Sequence, residues 1–230
     1  MRILALIPAR GGSKGLPRKN LLPLAGHPLI AHTIRVALEA GAATDVVVST
    51  DDAEIAATAR AYGAAVPFMR PAALAEDSAR TIDVVIHGLQ TMEALSQRRY
   101  DAVLLLQPTS PLRQAADVQA ALQLYIDERA DSLISVFEWQ SPHPFYMYWM
   151  RENEPLPVLN TARLYHRRQD FPAVYVRNGA IYLTDREVLL RRQTFYGDRL
   201  RAIIMPAARS INIDHPDDLQ QAERWLSQSR

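Results

Sequence analysis

The sequence predicts an α/β fold, Rossmann-like and three-layered (α/β/α), with a mostly parallel sheet and an inserted arm. Short apolar runs such as Ile3 to Ile7 and Ala102 to Leu106 read as strands buried on both faces, the kind a parallel sheet requires. These runs alternate with amphipathic stretches of helical spacing, which places helices between strands and makes the crossovers right-handed. The alternation is lost between about residues 137 and 176, where Trp139, Phe145, Tyr146, Tyr148, Trp149, Tyr165 and Phe171 crowd among prolines. A stretch of that length without periodicity reads as an arm packing on another surface, the alternative being an irregular β meander on the chain's own core. At 230 residues the chain suits one α/β core, so a single domain over 1–230 is expected, with the arm inside it.

Each element has its own signal. From Pro28 to Ala40, apolar residues at Leu29, Ile30, Ile34, Ala37 and Leu38 recur at helical spacing, and Gly41 closes the helix. Asp45 to Thr50 is a strand, Ala53 to Tyr62 an alanine-rich helix stopped by Gly63, and Ala64 to Phe68 a short strand. A helix from about Thr81 to Leu95 precedes the strand at Ala102 to Leu106. A further helix covers roughly Ala115 to Arg129, followed by a strand at Ser132 to Val136. Beyond the arm, Asn178 to Leu183 returns to the sheet. Ile203 to Met205 and Ile211 to Ile213 are short strands, and Pro216 to Leu226 is the closing helix.

Composition excludes several classes of function. Net charge is +1, so no global field favours nucleic acid or an acidic membrane; basicity is local. Zero cysteines exclude disulfides, thiolate metal sites and a cysteine nucleophile. No apolar run approaches the ~20 residues of a membrane span, and the first strand begins without a signal-type apolar core. A cytoplasmic protein is expected. His27, His32, His87 and His215 show no metal-ligand spacing and read as surface or packing residues.

The chemistry concentrates in four places. After the first strand, Ala9-Arg10-Gly11-Gly12-Ser13-Lys14-Gly15-Leu16-Pro17-Arg18-Lys19-Asn20 combines three glycines with four cations. Close backbone approach, an amide concavity and full positive charges together suit a triphosphate. The spacing is neither a Walker A loop nor the dinucleotide fingerprint. Arg70-Pro71 with Asp77-Ser78 reads as one wall of a pyrimidine pocket. Gln107-Pro108-Thr109-Ser110-Pro111-Leu112-Arg113 is a proline-fixed turn that presents Gln107, Ser110 and Arg113 at the sheet's carboxyl edge. Asp214 ends a segment before the last helix and suits Mg²⁺, while Asp217 and Asp218 read as helix-capping acids. Asp51 and Asp52 are open between ligand and cap.

These motifs resemble the acylneuraminate cytidylyltransferases, the CMP-sialic acid and CMP-nonulosonic acid synthetases, over essentially the whole chain. The resemblance implies transfer of CMP from CTP to an acidic nine-carbon sugar, with Mg²⁺ or Mn²⁺ as cofactor and a homodimer as the working form. It implies catalytic roles for Arg10, Lys14, Lys19 and Asp214, and nucleotide contacts from Ala9, Arg10, Gly11, Ser13, Lys14, Asn20, Arg70 and Ser78. Gln107, Ser110, Asn178, Tyr182, Phe195 and Tyr196 fall at sugar positions, and Arg168 matches an arginine that the partner subunit supplies toward the sugar carboxylate. The metal falls to Asp214 with Asn212, where the family commonly has a second aspartate. The arm, about 137–176, corresponds to the family's dimerisation arm, although it has Phe145-Tyr146 where a lysine is frequent. N-acetylneuraminic, legionaminic and pseudaminic acids all remain as acceptors. A 3-deoxy-octulosonate cytidylyltransferase and a non-catalytic nucleotide-binding module are the alternatives.

Overall fold

The computed structural model describes residues 1–13, 15–159, 167 and 170–228. In chain order the main elements are β1 (Ile3–Pro8), the short pair β2 (Pro23–Leu24) and β3 (His27–Pro28), α1 (Leu29–Ala40), β4 (Asp45–Ser49), α2 (Ala53–Ala61) and α3 (Thr81–Ser96). Then follow β5 (Ala102–Leu105), α4 (Ala115–Asp127), β6 (Ser132–Trp139), β7 (Tyr148–Arg151), β8 (Glu154–Pro157), β9 (Val174–Asp185), β10 (Leu200–Ile204) and α5 (Pro216–Gln228).

Six strands form the central sheet in the order β10-β6-β9-β5-β1-β4. β1 pairs in parallel with β4 and β5, and β10 with β6, whereas β9 runs antiparallel to both of its neighbours. Alternation along the strands sends side chains to two faces. Ile3, Ala5, Ile7, Ala102 and Leu104 pack with Ile30 and Ile34 of α1, Ile55 of α2 and Val118 of α4. Leu4, Leu6, Val103 and Leu105 pack with Ile82, Val85, Leu89 and Met92 of α3. This is the three-layer arrangement expected from buried, unalternating strands. Each fully buried Leu or Ile contributes about 2 kcal/mol to holding the layers together.

Two short segments differ from expectation. Residues 64–68 make a single parallel bridge, Val47 to Ala65, instead of a strand. Pro67 lacks the N–H that would continue the ladder. Residues 211–213 are not a strand either; the Ile213 N–H donates to the Thr109 carbonyl at 2.7 Å, and its side chain is fully buried. There it joins Leu16, Leu24, Leu29, Leu112 and Ala222 in a small core under the first loop.

The described residues of the 137–176 stretch hold more regular structure than its lack of periodicity suggests. β6 and β9 run on together as a two-stranded ladder from Val136 opposite Arg177 to Trp139 opposite Val174. Beyond it lie a turn at Pro144–Tyr146 and the β7–β8 hairpin. Phe145 is buried between His143 and Phe171, with ring centroids 4.6 and 4.9 Å away. Tyr148, Trp149 and Met150 are exposed. The hairpin escaped the sequence reading because its strands present no buried face, so their pattern does not alternate. Among the described residues, no helix is long and apolar enough to cross a membrane.

Candidate active site

The glycine-rich loop leaves β1 at Pro8 and is held in place from several sides. The Ala9 N–H donates to the Ser49 carbonyl at 2.9 Å, tying the loop to β4. The Gly11 N–H donates to Asp51 Oδ1 at 3.0 Å, and Asn20 Nδ2 to the Arg10 carbonyl at 3.0 Å. Arg18 adopts the left-handed region (φ 53°) and pairs with Glu54 at 2.7 Å and Asp52 at 3.3 Å. Lys19 Nζ donates to the Ile213 carbonyl at 2.8 Å and to Asp214 Oδ1 at 2.9 Å. Gly15 has to be glycine here: a Cβ on it would stand 2.6 Å from the Asp214 carbonyl oxygen. The loop is therefore fixed against β4, α2 and the segment before α5, with Arg10, Gly12 and Ser13 left on a cavity wall.

That cavity, about 250 Å³, is also lined by Lys19, Asn20, Arg70 and Gln107. Ala9 is buried behind it, and Ser78 lies outside it in an adjoining open groove with Ser13 and Asp77. Arg70 is buried and donates to the carbonyl of Ser49, to Ser49 Oγ at 3.1 Å and to the Leu74 carbonyl at 3.4 Å. Burial brings its pKa down to about 10, with Asp51 opposing that shift, so it stays charged at neutral pH. Arg10 crosses to the loop before α3, where its guanidinium pairs with Asp77 at 2.6 Å and donates to the Ala75 carbonyl at 3.3 Å.

The acids divide by role. Asp52 caps α2, accepting from the Glu54 and Ile55 N–H groups at 2.8 and 3.0 Å; the Ile55 amide foremost holds it below the ordinary carboxylate range. Asp51 holds the loop through Gly11. Asp218 Oδ2 accepts from the backbone of Asp214 and His215 at 2.9 and 2.7 Å, the expected capping role. Asp214 is exposed; besides Lys19 on Oδ1, its Oδ2 accepts from the Asn212 side-chain amide.

The turn after β5 is built around Arg113, which is buried instead of facing a ligand. It donates to the carbonyls of Gln107, Ser110 and Ala180 and to Thr33 Oγ1. Burial lowers its pKa to about 9, with Asp117 opposing. Arg113 thereby locks the turn between α1 and β9 and leaves Gln107 exposed to the cleft. Ser110 is likewise buried, its Oγ donating to the Asn178 carbonyl at 3.2 Å.

Across the cleft, β9 carries a bulge. Register jumps from Ile134 opposite Tyr182 to Val136 opposite Arg177, so five residues of β9 (177–181) accompany two of β6. Gly179, at φ 73°, allows the kink. Asn178 is buried in it, bonded to Ser135 Oγ and to Ser210 Oγ at 2.9 Å, and so braces the bulge. Arg177, Asn178, Tyr182, Asn212 and Gln107 line a second cavity of about 430 Å³. Phe195 packs on Tyr182 with centroids 5.3 Å apart, and Tyr196 lies under the Arg177 guanidinium at 5.1 Å. Gln107 belongs to both cavities, which makes it the point where they meet. The structure thus brings together Arg10, Ser13, Lys19, Asn20, Arg70 and Gln107 in one cavity, and Gln107, Asn178, Tyr182 and Asn212 in the next. Lys14 and Arg168 lie outside the described residues. Arg177 was not singled out by the sequence reading as a site residue; the available signal was Asn178-Gly179 inside a strand, a bulge mark.

The chain has relatives among known proteins. A family model described as Cytidylyltransferase matches residues 4–230. The CMP-N,N'-diacetyllegionaminic acid synthase of Legionella pneumophila subsp. pneumophila is 37% identical, over 98% of this chain and 97% of its own. The pseudaminic acid cytidylyltransferase of Campylobacter jejuni subsp. jejuni is 32% identical, over 97% of this chain and 95% of its own. Among solved structures, a CMP:2-keto-3-deoxy-manno-octonic acid synthetase complexed with CTP has the same fold, with a TM-score of 0.74 at 20% identity over the whole of both chains. On the family match and the full-length relatives, this chain is a nucleotidyltransferase of the cytidylyltransferase family.

Proposed function

We propose that the chain activates a nonulosonic acid with CTP, giving the CMP-sugar and pyrophosphate. The observation that carries the reading is the pair of cavities meeting at Gln107, one walled by a basic glycine loop and the other by polar and aromatic groups. CTP occupies the first, with Arg10, Lys14 and Lys19 on the triphosphate and Arg70 and the Ser78 loop toward the base. The acid occupies the second, against Gln107 and Tyr182, with Phe195 packed on Tyr182 and Tyr196 against Arg177. Ser110 and Asn178 serve it from behind, by fixing the turn and the bulge. The sugar's anomeric hydroxyl attacks the α-phosphorus as pyrophosphate leaves, a reaction helped mostly by positioning and by neutralising phosphate charge. The acceptor class is tested by incubating the enzyme with CTP and N-acetylneuraminic, legionaminic or pseudaminic acid and weighing the products. A CMP-sugar from at least one supports the reading, and CMP transfer only to an eight-carbon keto acid replaces it.

Mg²⁺ or Mn²⁺ is the proposed cofactor. The Asp214 carboxylate and the Asn212 amide oxygen are hard oxygen donors, which suit such a cation when phosphates and water complete its shell. Bound there, it would neutralise phosphate charge.

Arg10 has a competitor for phosphate in Asp77. Asp77→Asn is expected to lower the Kd for CTP by about threefold, the scale of a half-exposed ion pair; calorimetric titration checks it, and weaker binding would contradict the competition.

A cytoplasmic homodimer is the proposed working form, with the exposed Tyr148, Trp149 and Met150 of the arm against the partner and Arg168 reaching the partner's acid. Mixing Arg168→Ala with Lys19→Ala enzyme is then expected to restore activity, since one site in each heterodimer has both residues intact. No recovery after demonstrated subunit exchange would exclude the shared site.

A further inference from the structure

We infer that Asp131 is a positioning residue for the acceptor: its carboxylate holds the backbone of residues 197–199 and so sets where Phe195 and Tyr196 stand behind the second cavity. This rests on the reading that the second cavity receives the acid. Asp131 immediately precedes β6, lines neither cavity and is buried. A carboxylate is rarely buried without strong partners, and this one turns both oxygens to a single loop. Oδ2 accepts from the Asp198 N–H at 3.0 Å, and both oxygens accept from the Arg199 N–H at 3.1 Å. Oδ1 also accepts from Ser132 Oγ at 3.1 Å, and that hydroxyl in turn accepts from the Gly197 N–H at 2.8 Å. Three consecutive amides are thus tied, directly or through one hydroxyl, to the start of β6. The main chain of Asp131 is fixed as well, its carbonyl accepting from the Asp185 N–H at 2.9 Å at the end of β9. Amide bonds to a carboxylate are charge-assisted and roughly twice as strong as neutral ones. Gly197 shows how close the clasp is. Its φ lies outside the left-handed region, yet a Cβ on it would stand 2.1 Å from Asp131 Oδ1, so it is the carboxylate that requires glycine here. The two residues before the clasp are Phe195, packed on Tyr182, and Tyr196, against the Arg177 guanidinium. Tyr182 and Arg177 both line the second cavity. Contacts therefore run from a buried carboxylate, through a tied backbone and two rings, to two side chains of the acceptor wall.

The test perturbs the clasp from both sides. Gly197→Ala keeps the N–H bond to Ser132 but sets a methyl group against the carboxylate, so the loop has to retreat by roughly 1 Å. It is expected to raise the KM for the acid at least about tenfold, the effect of a misplaced wall on a positioned substrate, with the KM for CTP unchanged. In an Asp131→Ala background the methyl group has room, and the same substitution is expected to add no more than about twofold. Asp131→Asn keeps the shape but turns one acceptor into a donor facing the loop amides, and is expected to raise the acid's KM in the same selective way. The Tm of each variant verifies folding, and Asp131→Asn carries the test should Gly197→Ala fail to fold. An unchanged KM for the acid in the folded variants overturns the inference and leaves the acceptor reading intact. So does a KM that rises equally for acid and CTP, or a Gly197→Ala penalty that persists without the carboxylate. If wild-type enzyme forms no CMP-sugar from any nonulosonic acid, the acceptor reading itself has failed.

Discussion

Lys19→Ala is expected to lower turnover by at least ~10²-fold, the usual cost of removing one preorganised charge from a transition state. Lys19 lines the basic cavity and has only 14% of its side chain exposed, so its charge is poorly screened. It is held by the Ile213 carbonyl and Asp214, which fixes its ammonium before any ligand arrives. A fixed charge costs no reorganisation as negative charge shifts onto pyrophosphate. The loss should fall mainly on kcat, because the interaction strengthens as the bond breaks. Steady-state kinetics with saturating CTP and acid measures it, and circular dichroism verifies the fold. Near wild-type turnover in a folded variant would remove Lys19 from the mechanism.

Asp214→Asn is the second large effect, expected at roughly 10²-fold in turnover with part recovered at high Mg²⁺. The structure offers a competing account, because Asp214 also steadies Lys19 at 2.9 Å. The two separate in a double variant. If Asp214 acts only through Lys19, Asp214→Asn costs nothing further in a Lys19→Ala background. If it holds the metal, the added loss remains and the Mg²⁺ requirement rises. Asn212→Asp is expected to be tolerated and to lower that requirement by supplying a second carboxylate.

The layers were legible because the strands are buried on both faces and the helices keep their 3.6-residue spacing, signals that belong to local sequence. What was not legible depends on partners distant in the chain. Nothing local marks β9 as antiparallel; the ladders with β5 and β6 decide it. The β7–β8 hairpin lacked a buried face to impose alternation, and residues 64–68 lost their strand to one proline. The loop cations were visible as a composition, yet their division of labour was not. Arg18 goes to Glu54 and Asp52, Arg10 to Asp77, and Lys19 to Asp214. Ser110, Arg113 and Asn178 were recognisable as important polar residues, while their burial as supports behind Gln107 emerges only once β9 lies across the turn.

The central claim is that the basic cavity holds CTP while the adjoining one delivers the acceptor to its α-phosphorus. Pyrophosphate release by the wild-type enzyme, measured alongside CMP-sugar with CTP alone, acid alone and both together, tests it most directly. The account predicts release only when both are present, with one pyrophosphate for each CMP-sugar formed. Tight CTP binding without release in the presence of any nonulosonic acid would contradict it and leave a nucleotide-binding module in its place.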